Sequence, residues 1–560
     1  MALKSFIKPG LMLWLLPCHF LQAQTIIPGG YVSGTWNATG SPYIVQEDIL
    51  VHPDSTLVVD AGTTVLFTGQ YFLEVHGQLL VSGTAAGPVT FDRENDTVTW
   101  RGIFLNYTDT SMMDSSILQH GSISHCSGGS CLTIHHSSRV RVSDFNISYG
   151  DSFRGGGINC RFSDPCLENL MVQYNLALDG PGIALEESNA SLKNCTIWSN
   201  HADGAGGGMV IFALSAPTLE NCVIKNNNSF GSGGGVYIND AFPVFLNCDI
   251  SNNHGAIGGG TTYSGGGISV KLDSGPYFEN CIIQGNTSES FGGGIATFSP
   301  TQLINCLFAN NHAITNGGAV YLGSGNVIES PFYNCTFADN VSPHGSVMTC
   351  YNHVAVVRNC ILWDQWNQSP NSLIYLGSIT ALDVADIAYS DIQNGKTSIE
   401  LWQNASYHWG QHNIDADPQF DTIDFSLTWA SPCIEAGTPD TTGLGLPELD
   451  LDGLPRIVNT RVDMGAYEYQ LPVQIPDSGF RIPDLVRIYP VPAKDFVFVE
   501  VPEDYAEGVL QVVNSSGIVV IEEEMTSHFI KINIEDIPPG FYLIRIINDE
   551  GIIVQKFLIY

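Results

Sequence analysis

The chain has 560 residues, and its 56 Asp and Glu residues outnumber its 21 Lys and Arg residues, which gives a formal net charge of −35 at pH 7. Such an acidic surface repels phosphate backbones and acidic membranes, so nucleic acid is excluded as an expected partner. The length exceeds what one compact core supports and predicts a repeat array with further domains at its ends.

Residues 1–23 have the composition of a secretory signal peptide. Two lysines precede the apolar run Leu11–Leu16, and small and polar residues surround Ala23, which is the pattern of a cleavage site. Cys18 follows a proline, which argues against lipid attachment at that residue. No later stretch of the sequence reaches the roughly 18 apolar residues that a spanning helix needs. We therefore expect an exported chain that is secreted or held at a cell surface.

Residues 24–414 are predicted to form one all-β solenoid. Between residues 45 and 120 the chain contains short apolar, strand-like segments such as Leu57–Val59 and Val65–Phe67. They look like irregular copies of a repeat that becomes clear further along the chain. Because a solenoid of stacked strands has an open end, residues 25–45 are predicted to cap it.

An Asn-Cys pair recurs seven times between residues 194 and 360, with gaps of 25 to 33 residues. A period in this range is typical of solenoids, in which each repeat buries its apolar face only against its neighbours. The pairs are Asn194-Cys195, Asn221-Cys222, Asn247-Cys248, Asn280-Cys281, Asn305-Cys306, Asn334-Cys335 and Asn359-Cys360.

Within one repeat, three segments have the pattern of short strands: Val236–Ile238 after a triple glycine, Pro243–Leu246, and Cys248–Ile250. Three strands per turn, each paired in parallel about 4.8 Å above its counterpart, form a parallel β-helix. Asn tolerates the left-handed backbone of a tight corner, so Asn247 is predicted to turn the corner between the second and third strands. Cys248 is predicted to point inward, where a reduced cysteine packs as a small apolar side chain.

The repeat resembles a known family. Glycine-rich phrases such as Gly292-Gly293-Gly294-Ile295 alternate with phrases such as Phe308-x-x-Asn311. This alternation resembles the polymorphic outer-membrane-protein repeat and, more broadly, the right-handed β-helix superfamily that includes pectin lyases. The resemblance covers residues 145–360 and implies a right-handed parallel β-helix. Because members of that superfamily serve as adhesins, lyases and hydrolases, the resemblance leaves the activity open.

Seven of the 14 cysteines lie outside the seven Asn-Cys pairs of the repeat, and four of these seven form two pairs that are close in sequence. Cys126 and Cys131 are close in sequence, as are Cys160 and Cys166. In an exported protein such pairs are candidates for disulfides, although sequence does not fix the geometry that a disulfide needs. The cysteines of the repeat are instead predicted to remain reduced.

A search for catalytic side chains finds one charged region. β-Helix lyases use a cation on carboxylates with an arginine or lysine base, and β-helix glycosidases use paired carboxylates. The strands after the glycine runs carry neither at their predicted outward centres, which are Asn159, Val210, Tyr237, Ser269, Ala296 and Tyr321. The candidate catalytic cluster lies earlier and consists of Arg139, Arg141, Asp144, Arg154, Arg161, Glu186 and Glu187. A solvated, loosely paired surface explains the same residues without chemistry.

Tyrosines are the candidates for ligand binding. Tyr237, Tyr263 and Tyr321 are placed to stack against sugar rings, although tyrosine also simply favours strands. The one long gap in the Asn-Cys repeat, of 33 residues, predicts a loop of extra residues around 258–264 that includes Tyr263. This loop is therefore the leading candidate for a binding site.

Residues 415–470 no longer follow the repeat. The phrases Asp415–Phe420 and Val462–Tyr469 resemble the choice-of-anchor module that closes β-helices in secreted bacterial proteins. Asp450 and Asp452 are similar to the opening of a calcium loop, but the other ligand positions of an EF-hand are not met. A turn rich in Asp and Gly explains the same phrase without metal, so calcium is an open candidate cofactor.

Residues 471–484 contain three prolines and no periodicity, which predicts a linker. From 485 to 560, alternating segments separated by turns predict a small antiparallel β-sandwich. The order Tyr489-Pro490-Val491-Pro492-Ala493, Asn514–Gly517 and Ile537–Tyr542 resembles the C-terminal sorting domain of the type IX secretion system of Bacteroidetes. The resemblance implies binding to that machinery, export across both membranes of a Gram-negative bacterium, and then release or attachment to surface lipopolysaccharide.

Three functions stay open at the level of sequence. The first is an exported binding or adhesive body for a glycan or a surface partner. The second is a polysaccharide lyase or glycoside hydrolase of the β-helix type, and the third is a structural surface element. Because the sequence contains neither a Ser-His-Asp phrase nor a phosphate loop, we favour the binding body.

Overall fold

The computed structural model divides into two compact units, residues 1–470 and 471–560, and the boundary falls at the start of the predicted linker. The structure describes residues 24–107, 115–258, 264–271, 273–324, 328–364, 372–421, 424–458 and 460–470 of the first unit, and 487–489, 496–501, 506, 508–514, 519–534, 537–538, 540–548 and 551–559 of the second. The predicted signal peptide, the predicted linker and the loop residues 259–263, which include Tyr263, lie outside the described residues.

The described part of the first unit is a parallel β-helix whose coils stack into three parallel sheets, here named faces A, B and C. Face A consists of β2 (Gly30–Tyr31), β5 (Ile49–Val51), β8 (Phe72–Val75), β11 (Gly102–Asn106), β13 (Leu132–His135), β16 (Ile158–Arg161), β20 (Ile183–Glu186), β24 (Met209–Phe212), β28 (Val236–Asn239), β32 (Ile268–Val270), β36 (Ile295–Thr297), β40 (Val320–Gly323), β43 (Met348–Tyr351), and the first parts of β46 (Ile374–Ala388) and β48 (Ile399–Trp409).

Faces B and C complete each coil. Face B consists of β3 (Gly34–Trp36), β6 (Thr56–Asp60), β9 (Gln78–Ser82), the first parts of β12 (Ile117–Ser124) and β14 (Arg141–Ser148), β17 (Cys166–Glu168), β21 (Ser191–Lys193), β25 (Thr218–Glu220), β29 (Val244–Leu246), β33 (Tyr277–Glu279), β37 (Gln302–Ile304), β41 (Glu329–Tyr333), β44 (Val354–Arg358) and the ends of β46 and β48. Face C consists of β1 (Thr25–Ile27), β4 (Tyr43–Val45), β7 (Thr64–Phe67), β10 (Val89–Arg93), the ends of β12 and β14, β18 (Met171–Gln173), β22 (Thr196–Trp198), β26 (Val223–Lys225), β30 (Asp249–Ser251), β34 (Ile282–Gln284), β38 (Leu307–Ala309), β42 (Thr336–Ala338), β45 (Ile361–Trp363) and β47 (Asp391–Ile392). The described helical segments are two short 3₁₀-helices, η1 (Ala38–Gly40) and η2 (Gly395–Ser398).

Alternation of side chains decides which residues enter the core. In β28, Val236 and Ile238 are fully buried, and Val236 lies in register between Met209 and Ile268 of the neighbouring coils. Tyr237 points to the other side of face A. Each inward residue is therefore shielded from water only because the neighbouring coils cover it.

The Asn-Cys pairs lie between faces B and C. All seven asparagines take a left-handed backbone, with φ between 52° and 55°. Their side chains stack along the axis, and Asn194 Nδ2 donates a hydrogen bond to Asn169 Oδ1 (3.2 Å) in the preceding coil. The seven cysteines are buried. Burial raises the pKa of Cys281, Cys306 and Cys335 well above the usual value, so these thiols stay protonated.

A second set of asparagines, here named the inner ladder, runs through the interior: Asn175, Asn200, Asn227, Asn253, Asn286, Asn311 and Asn340. Each side-chain amide donates to the next Oδ1 at 2.9–3.1 Å. Asn227 Nδ2 also donates to the Ile197 carbonyl (2.9 Å), so the buried amides are satisfied along the whole row. Asn253 in this row is only 1% exposed. The ladder ends at Asp364, whose Oδ1 accepts from the Asn340 backbone N–H (3.1 Å).

A fourth, outer sheet of seven short parallel strands lies outside face A. It consists of β15 (Asp151–Arg154), β19 (Leu176–Asp179), β23 (His201–Ala202), β27 (Asn228–Ser229), β31 (His254–Gly255), β35 (Thr287–Ser288) and β39 (His312–Ala313). All but the first directly follow an inner-ladder asparagine, and each leads into a glycine turn before face A. Gly206 in one such turn has φ +65°, and a Cβ there would lie 2.6 Å from Val210 Cγ1, so the turn requires glycine.

Residues 25–36, which lie within the predicted cap, form the first coil. β1, β2 and β3 pair in parallel with β4, β5 and β6. The in-register pairing that builds the later coils already operates here, on strands of only two or three residues, and the capping role of residues 25–45 stays a prediction. The irregular coils predicted between residues 45 and 120 are confirmed.

Residues 415–470 fold against the last coils and belong to the same compact unit. A small apolar core joins the two parts and contains Ala338, Ile361, Phe420, Leu427, Cys433 and Met464. Asn334 Nδ2 of the corner row donates to the Asp463 carbonyl (3.0 Å). The segment therefore extends the hydrogen bonding of the Asn-Cys corners.

The second unit contains two antiparallel sheets, which confirms the predicted all-β domain. One sheet consists of β49 (Arg487–Tyr489), β50 (Phe496–Glu500) and β53 (Phe529–Asn533), and the other of β52 (Val519–Met525), β51 (Gly508–Asn514), β54 (Gly540–Asn548) and β55 (Gly551–Ile559). They enclose a core of their own, which includes Val499, Leu510 and Ile544. In the described parts of both units, no helix has the length and apolar character needed to cross a membrane.

Candidate functional site

The outward side of face A is covered along most of its length. From β20 onward its central outward residues are Ala184, Val210, Tyr237, Ser269, Ala296 and Tyr321, and all except Tyr237 are at most 5% exposed. The turns of the outer sheet cause this burial, since a Cβ at Gly180 would lie 2.6 Å from Val210 Cγ2. The predicted outward positions Val210, Ser269, Ala296 and Tyr321 therefore face away from the core but are covered.

The predicted tyrosine platform is not assembled by the described residues. Tyr321 is 5% exposed, and its ring centroid lies 4.7 Å from that of Phe291. Tyr237 is half-buried, and burial followed by the charge of Asp179 raises its pKa. Three steps along face A separate the two tyrosines, so they do not share one surface for a ring. Tyr263 lies outside the described residues.

Face A is open before the outer sheet begins. Its outward side chains there form a strip, here named the open groove, that consists of Glu74, Phe104, Asn106, Thr133, His135, Asn159 and Arg161. The strand register places Asn106, His135, Arg161 and Glu186 in one row along the axis. Because successive rungs are about 4.8 Å apart, the open groove presents a regular row of polar side chains to an extended ligand.

The open groove ends at a cleft of about 330 Å³, here named the end cleft, where the first outer strand, β15, stands beside β16. Its lining includes Phe104, Ser130, Thr133, Phe153, Arg154, Asn159, Arg161 and Glu186. The Phe153 side chain is 70% exposed. The cleft thus combines aromatic rings with charged and polar groups, at the volume where small-ligand sites begin.

Two arginines and two carboxylates meet at the end cleft. Arg154 Nη1 lies 3.6 Å from Glu186 Oε2, and Arg154 Nη2 lies 3.8 Å from Asp179 Oδ2. Arg161 Nη2 lies 3.4 Å from Glu186 Oε1. The Arg154 guanidinium also stacks over the Phe212 ring, 4.5 Å from its centroid. The four charged side chains balance, so together they carry no net charge.

Two buried polar atoms find no hydrogen-bond partner among the described residues: Arg154 Nε at the end cleft and His135 Nε2 in the adjoining open groove. Burial lowers the pKa of His135, the charges of His136 and Arg161 lower it further, and Glu186 raises it. His135 is therefore neutral at neutral pH, with one ring nitrogen that donates and one that accepts. Leaving such atoms unpaired is costly, and a ligand hydroxyl removes that cost.

Three of the seven predicted catalytic residues meet at the end cleft, and four do not. The three are Arg154, Arg161 and Glu186. The other four lie elsewhere: Arg141 is on the face B part of β14, Arg139 precedes that strand, and Asp144 and Glu187 have left-handed backbones at corners within β14 and after β20. Closeness in sequence is misleading here because β14 follows faces B and C, away from face A. Asp179 and Phe153 are not among the residues that the sequence points to, because only the strand register brings β19 beside β15 at this cleft.

The four cysteines of the two predicted disulfide pairs are free thiols in this structure. Cys126 is buried beside Cys131, and burial followed by contact with Cys131 raises the pKa of Cys126 well above its usual value. Cys160 faces the interior from β16, whereas Cys166 begins β17 with a half-buried side chain on the outward side. A Cys160–Cys166 disulfide conflicts with this geometry because the two side chains lie on opposite sides of the wall. The Cys126–Cys131 disulfide stays a prediction.

The predicted calcium residues form a turn. Asp450 Oδ1 accepts from the backbone N–H of Asp452 (3.0 Å) and of Leu454 (2.8 Å), and Asp450 Oδ2 accepts from that of Glu468 (2.9 Å). Asp450 would have to give up these bonds to bind a cation. Calcium binding at Asp450 and Asp452 stays a prediction.

Comparisons with known proteins agree with the fold of both units. Residues 101–265 match the family described as the right handed beta helix region, and residues 487–560 match the secretion system C-terminal sorting domain. A search of curated proteins finds no match. The chain is similar to the solved structure of pectate lyase Pel9A, with 14% identity over 75% of this chain and 89% of that chain and a TM-score of 0.36. It is also similar to alginate lyase from Paenibacillus sp. str. FPU-7, with 12% identity over 63% of this chain and 93% of that chain and a TM-score of 0.21.

The family matches fix two properties of the chain. The match over 101–265 gives the hand of the β-helix, whose coils continue on both sides of that range. The match over 487–560 identifies the second unit as an address for the type IX secretion system, which delivers proteins to the cell surface or the medium. The chain is therefore a right-handed parallel β-helix protein with a C-terminal sorting domain of the type IX secretion system.

Proposed function

We propose that this secreted β-helix is a saccharide-binding body and that the end cleft, with the adjoining open groove, is its binding site. One observation carries the proposal: aromatic rings and the unpartnered Arg154 Nε meet in one cleft of about 330 Å³, and the unpartnered His135 Nε2 lies in the adjoining open groove. Phe104 and Phe153 supply flat apolar surfaces that pack against the carbon face of a sugar ring. Arg154 Nε and His135 Nε2 supply positions for hydroxyl groups.

The charges of the cleft favour a neutral sugar over a uronate. Arg154 and Arg161 already face Glu186 and Asp179. A ligand carboxylate would therefore compete with the carboxylates of Glu186 and Asp179 for the same guanidinium groups. The net charge of −35 also repels an acidic polymer at long range. A neutral sugar neither competes with these carboxylates nor is repelled by the net charge. Its neighbouring hydroxyl groups also fit the paired N–H donors of a guanidinium.

The alternative function is a polysaccharide lyase or glycoside hydrolase. Asp179 and Glu186 are two carboxylates near the cleft, but both contact the guanidinium of Arg154 instead of flanking a space for a scissile bond. A third possibility, a structural surface element, requires no cleft at all. Saccharide binding uses the observed features without further groups.

For its route, we infer that the chain crosses both membranes of a Gram-negative bacterium, of the Bacteroidetes, and is then released or attached to lipopolysaccharide through its C-terminal unit. The support is the sorting-domain match over 487–560. Mass spectrometry of the protein from cell surface and medium tests this inference, since it reports cleavage near residue 23, removal of the sorting domain and any attached lipopolysaccharide. Intact residues 1–23 in exported material would contradict the signal-peptide part.

The test of saccharide binding uses the full exported protein, a glycan array and calorimetry with neutral and uronate-containing oligosaccharides. Phe153→Ala should weaken binding by about two- to tenfold, because its 70% exposed ring adds little to the core but about 0.5–1.5 kcal/mol to a stacked sugar. The matched control is Phe242→Ala, an exposed phenylalanine before β29 on face B, which should leave affinity unchanged.

Three outcomes separate the functions. Equal affinity of the Phe153→Ala and Phe242→Ala variants would contradict the proposed site. Release of new reducing ends or of unsaturated uronate, with or without added calcium, would establish the enzyme. Absence of binding across a broad panel would overturn the saccharide-binding function.

A further inference from the structure

The last coil of the β-helix has a long unpaired edge. β48 runs over eleven residues, Ile399–Trp409, and pairs in parallel with β46 on one side. Among the described residues no strand pairs with its other side. The opposite end of the β-helix differs, since β1, β2 and β3 have only two or three residues each. A long free edge presents a row of backbone N–H and C=O groups that readily accept another strand.

The apolar core is also open at this end. Leu401 of β48 lies in register with Leu376 of β46, but Leu401 is 50% exposed while Leu376 is fully buried. Tyr407 and Trp409 pack against the same core and are only partly buried. β48 contains neither proline nor lysine, the residues that commonly protect free edges from pairing. The edge therefore lacks the usual protection and exposes apolar side chains that are internal in the coil before it.

We propose that two copies of this chain associate end to end, with β48 of one copy paired antiparallel with β48 of the other about a two-fold axis through Asn404. This register places Leu401 opposite Tyr407 of the second copy, so the exposed core residues cover each other. It also places Glu400 opposite His408 of the second copy on the outward side, where a carboxylate and an imidazole attract or hydrogen-bond each other.

The bend of β48 is compatible with this pairing. Gln403, next to Asn404, has φ +56° and turns the corner between faces A and B. A two-fold axis that bisects this corner exchanges the face A arm of one strand with the face B arm of the other. Both arms therefore keep a partner along their length.

The difference between the two ends of the β-helix favours this arrangement over a head-to-tail stack. Head-to-tail stacking would set the eleven-residue edge against three short strands and leave many of its backbone groups unpaired. Two-fold pairing joins edges of equal length. It also closes on itself, so it gives a dimer and not a filament.

Cross-linking tests the register directly. In an Asn404→Cys variant the two introduced thiols face each other across the axis, and copper phenanthroline should oxidise them to a disulfide-linked dimer by removing two electrons from the pair. The matched control is Trp429→Cys, at a position that is 80% exposed, and it should give no cross-linked dimer. The native thiols described are buried except for Cys166, which both variants share.

Charge exchange tests the same contact without a new bond. Glu400→Lys and His408→Glu should each weaken dimerisation by up to about fivefold, and the double variant should restore it. Within one chain Glu400 lies 3.2 Å from His344 and His408 lies 2.7 Å from Asp386, so both exchanges worsen the contacts inside a chain. Rescue therefore reports contact between copies, and failure of rescue would overturn the register.

Light scattering on the full exported protein gives the oligomeric state. Leu401→Lys should yield a monomer with unchanged circular dichroism, whereas Leu214→Lys, at a site that is 67% exposed, should stay dimeric. A wild-type protein that is monomeric throughout the micromolar range would overturn the proposal. Filaments under the electron microscope would overturn the two-fold arrangement in favour of head-to-tail stacking.

Discussion

At the scale of single residues, asparagine has two separate roles in this chain. At the corners it provides a left-handed backbone, as Asn247 does with φ 53°, while in the inner ladder its amide joins neighbouring coils. The inner ladder ends at Asp364, which accepts from the Asn340 backbone and from the Ser346 hydroxyl. Burial raises the pKa of Asp364 to about 7, against a smaller opposing effect of the Ser346 hydrogen bond. An ionisable group thus occupies the position that an asparagine has in earlier coils.

This substitution predicts a pH-dependent stability. Because the folded-state pKa of Asp364 lies above its ordinary value of 3.8, the protonated carboxyl stabilises the fold. That contribution is complete below about pH 4 and is lost as the pH rises toward 7, by up to about 1.4 kcal/mol per pH unit. Asp364→Asn should flatten the dependence, as measured by urea unfolding between pH 4 and 8.

The control for this prediction is Asp203→Asn, since the Asp203 side chain is 74% exposed. It should keep the pH dependence of the original chain. Identical slopes for the original chain and the Asp364→Asn variant would show that Asp364 does not carry the effect.

At the scale of the repeat, strand alternation is readable in sequence but the outer sheet is not. In segments such as Val236–Ile238, inward apolar residues alternate with outward residues, and these segments form the predicted strands. The outer strands are mostly two residues long, for example His201–Ala202, and two residues carry no period. The end cleft depends on β15, which has four residues that are exposed or half-buried, so alternation of apolar residues does not reveal its position either. Arg154 and Glu186 are found as candidates, but their partner Asp179 is not.

The cysteine row gives a prediction at the same scale. The seven cysteines of the Asn-Cys pairs are at most 2% exposed, so they should resist a thiol reagent at pH 8 in the folded protein and react fully in guanidinium chloride. Cys166 is half-buried and should react first. Its replacement, Cys166→Ser, should remove the fast phase alone. Fast modification of the other thiols would show that the coils open readily.

At the scale of the whole molecule, the two units have separate apolar cores and separate tasks. The first carries the candidate binding site, and the second directs export. The division is visible in sequence because the repeat ends before the proline-containing segment 471–484.

Removal of residues 471–560 tests this division. The shortened chain should unfold within about 2 °C of the original transition of the β-helix, because its core loses no residue. It should remain inside the cell, as measured by immunoblots of cell and medium fractions. As the control, residues 471–560 are fused to an unrelated domain that has its own signal peptide. That domain should then be found outside the cell. Export of the shortened chain would contradict the assigned role of the second unit.

Sequence by itself determines the coil. Apolar alternation, corner asparagines and a period near 26 residues together specify three strands per turn. These features can be read from the sequence because they depend only on residues that are neighbours in the chain or in adjacent coils. Tertiary structure alone decides what the coil exposes. Outer turns bury Val210 and Tyr321 and leave Phe104 and Asn159 on an open face. The physical reason is that burial depends on which segment lies above a strand, and this is set by the stacking of coils about 25 residues apart in the chain.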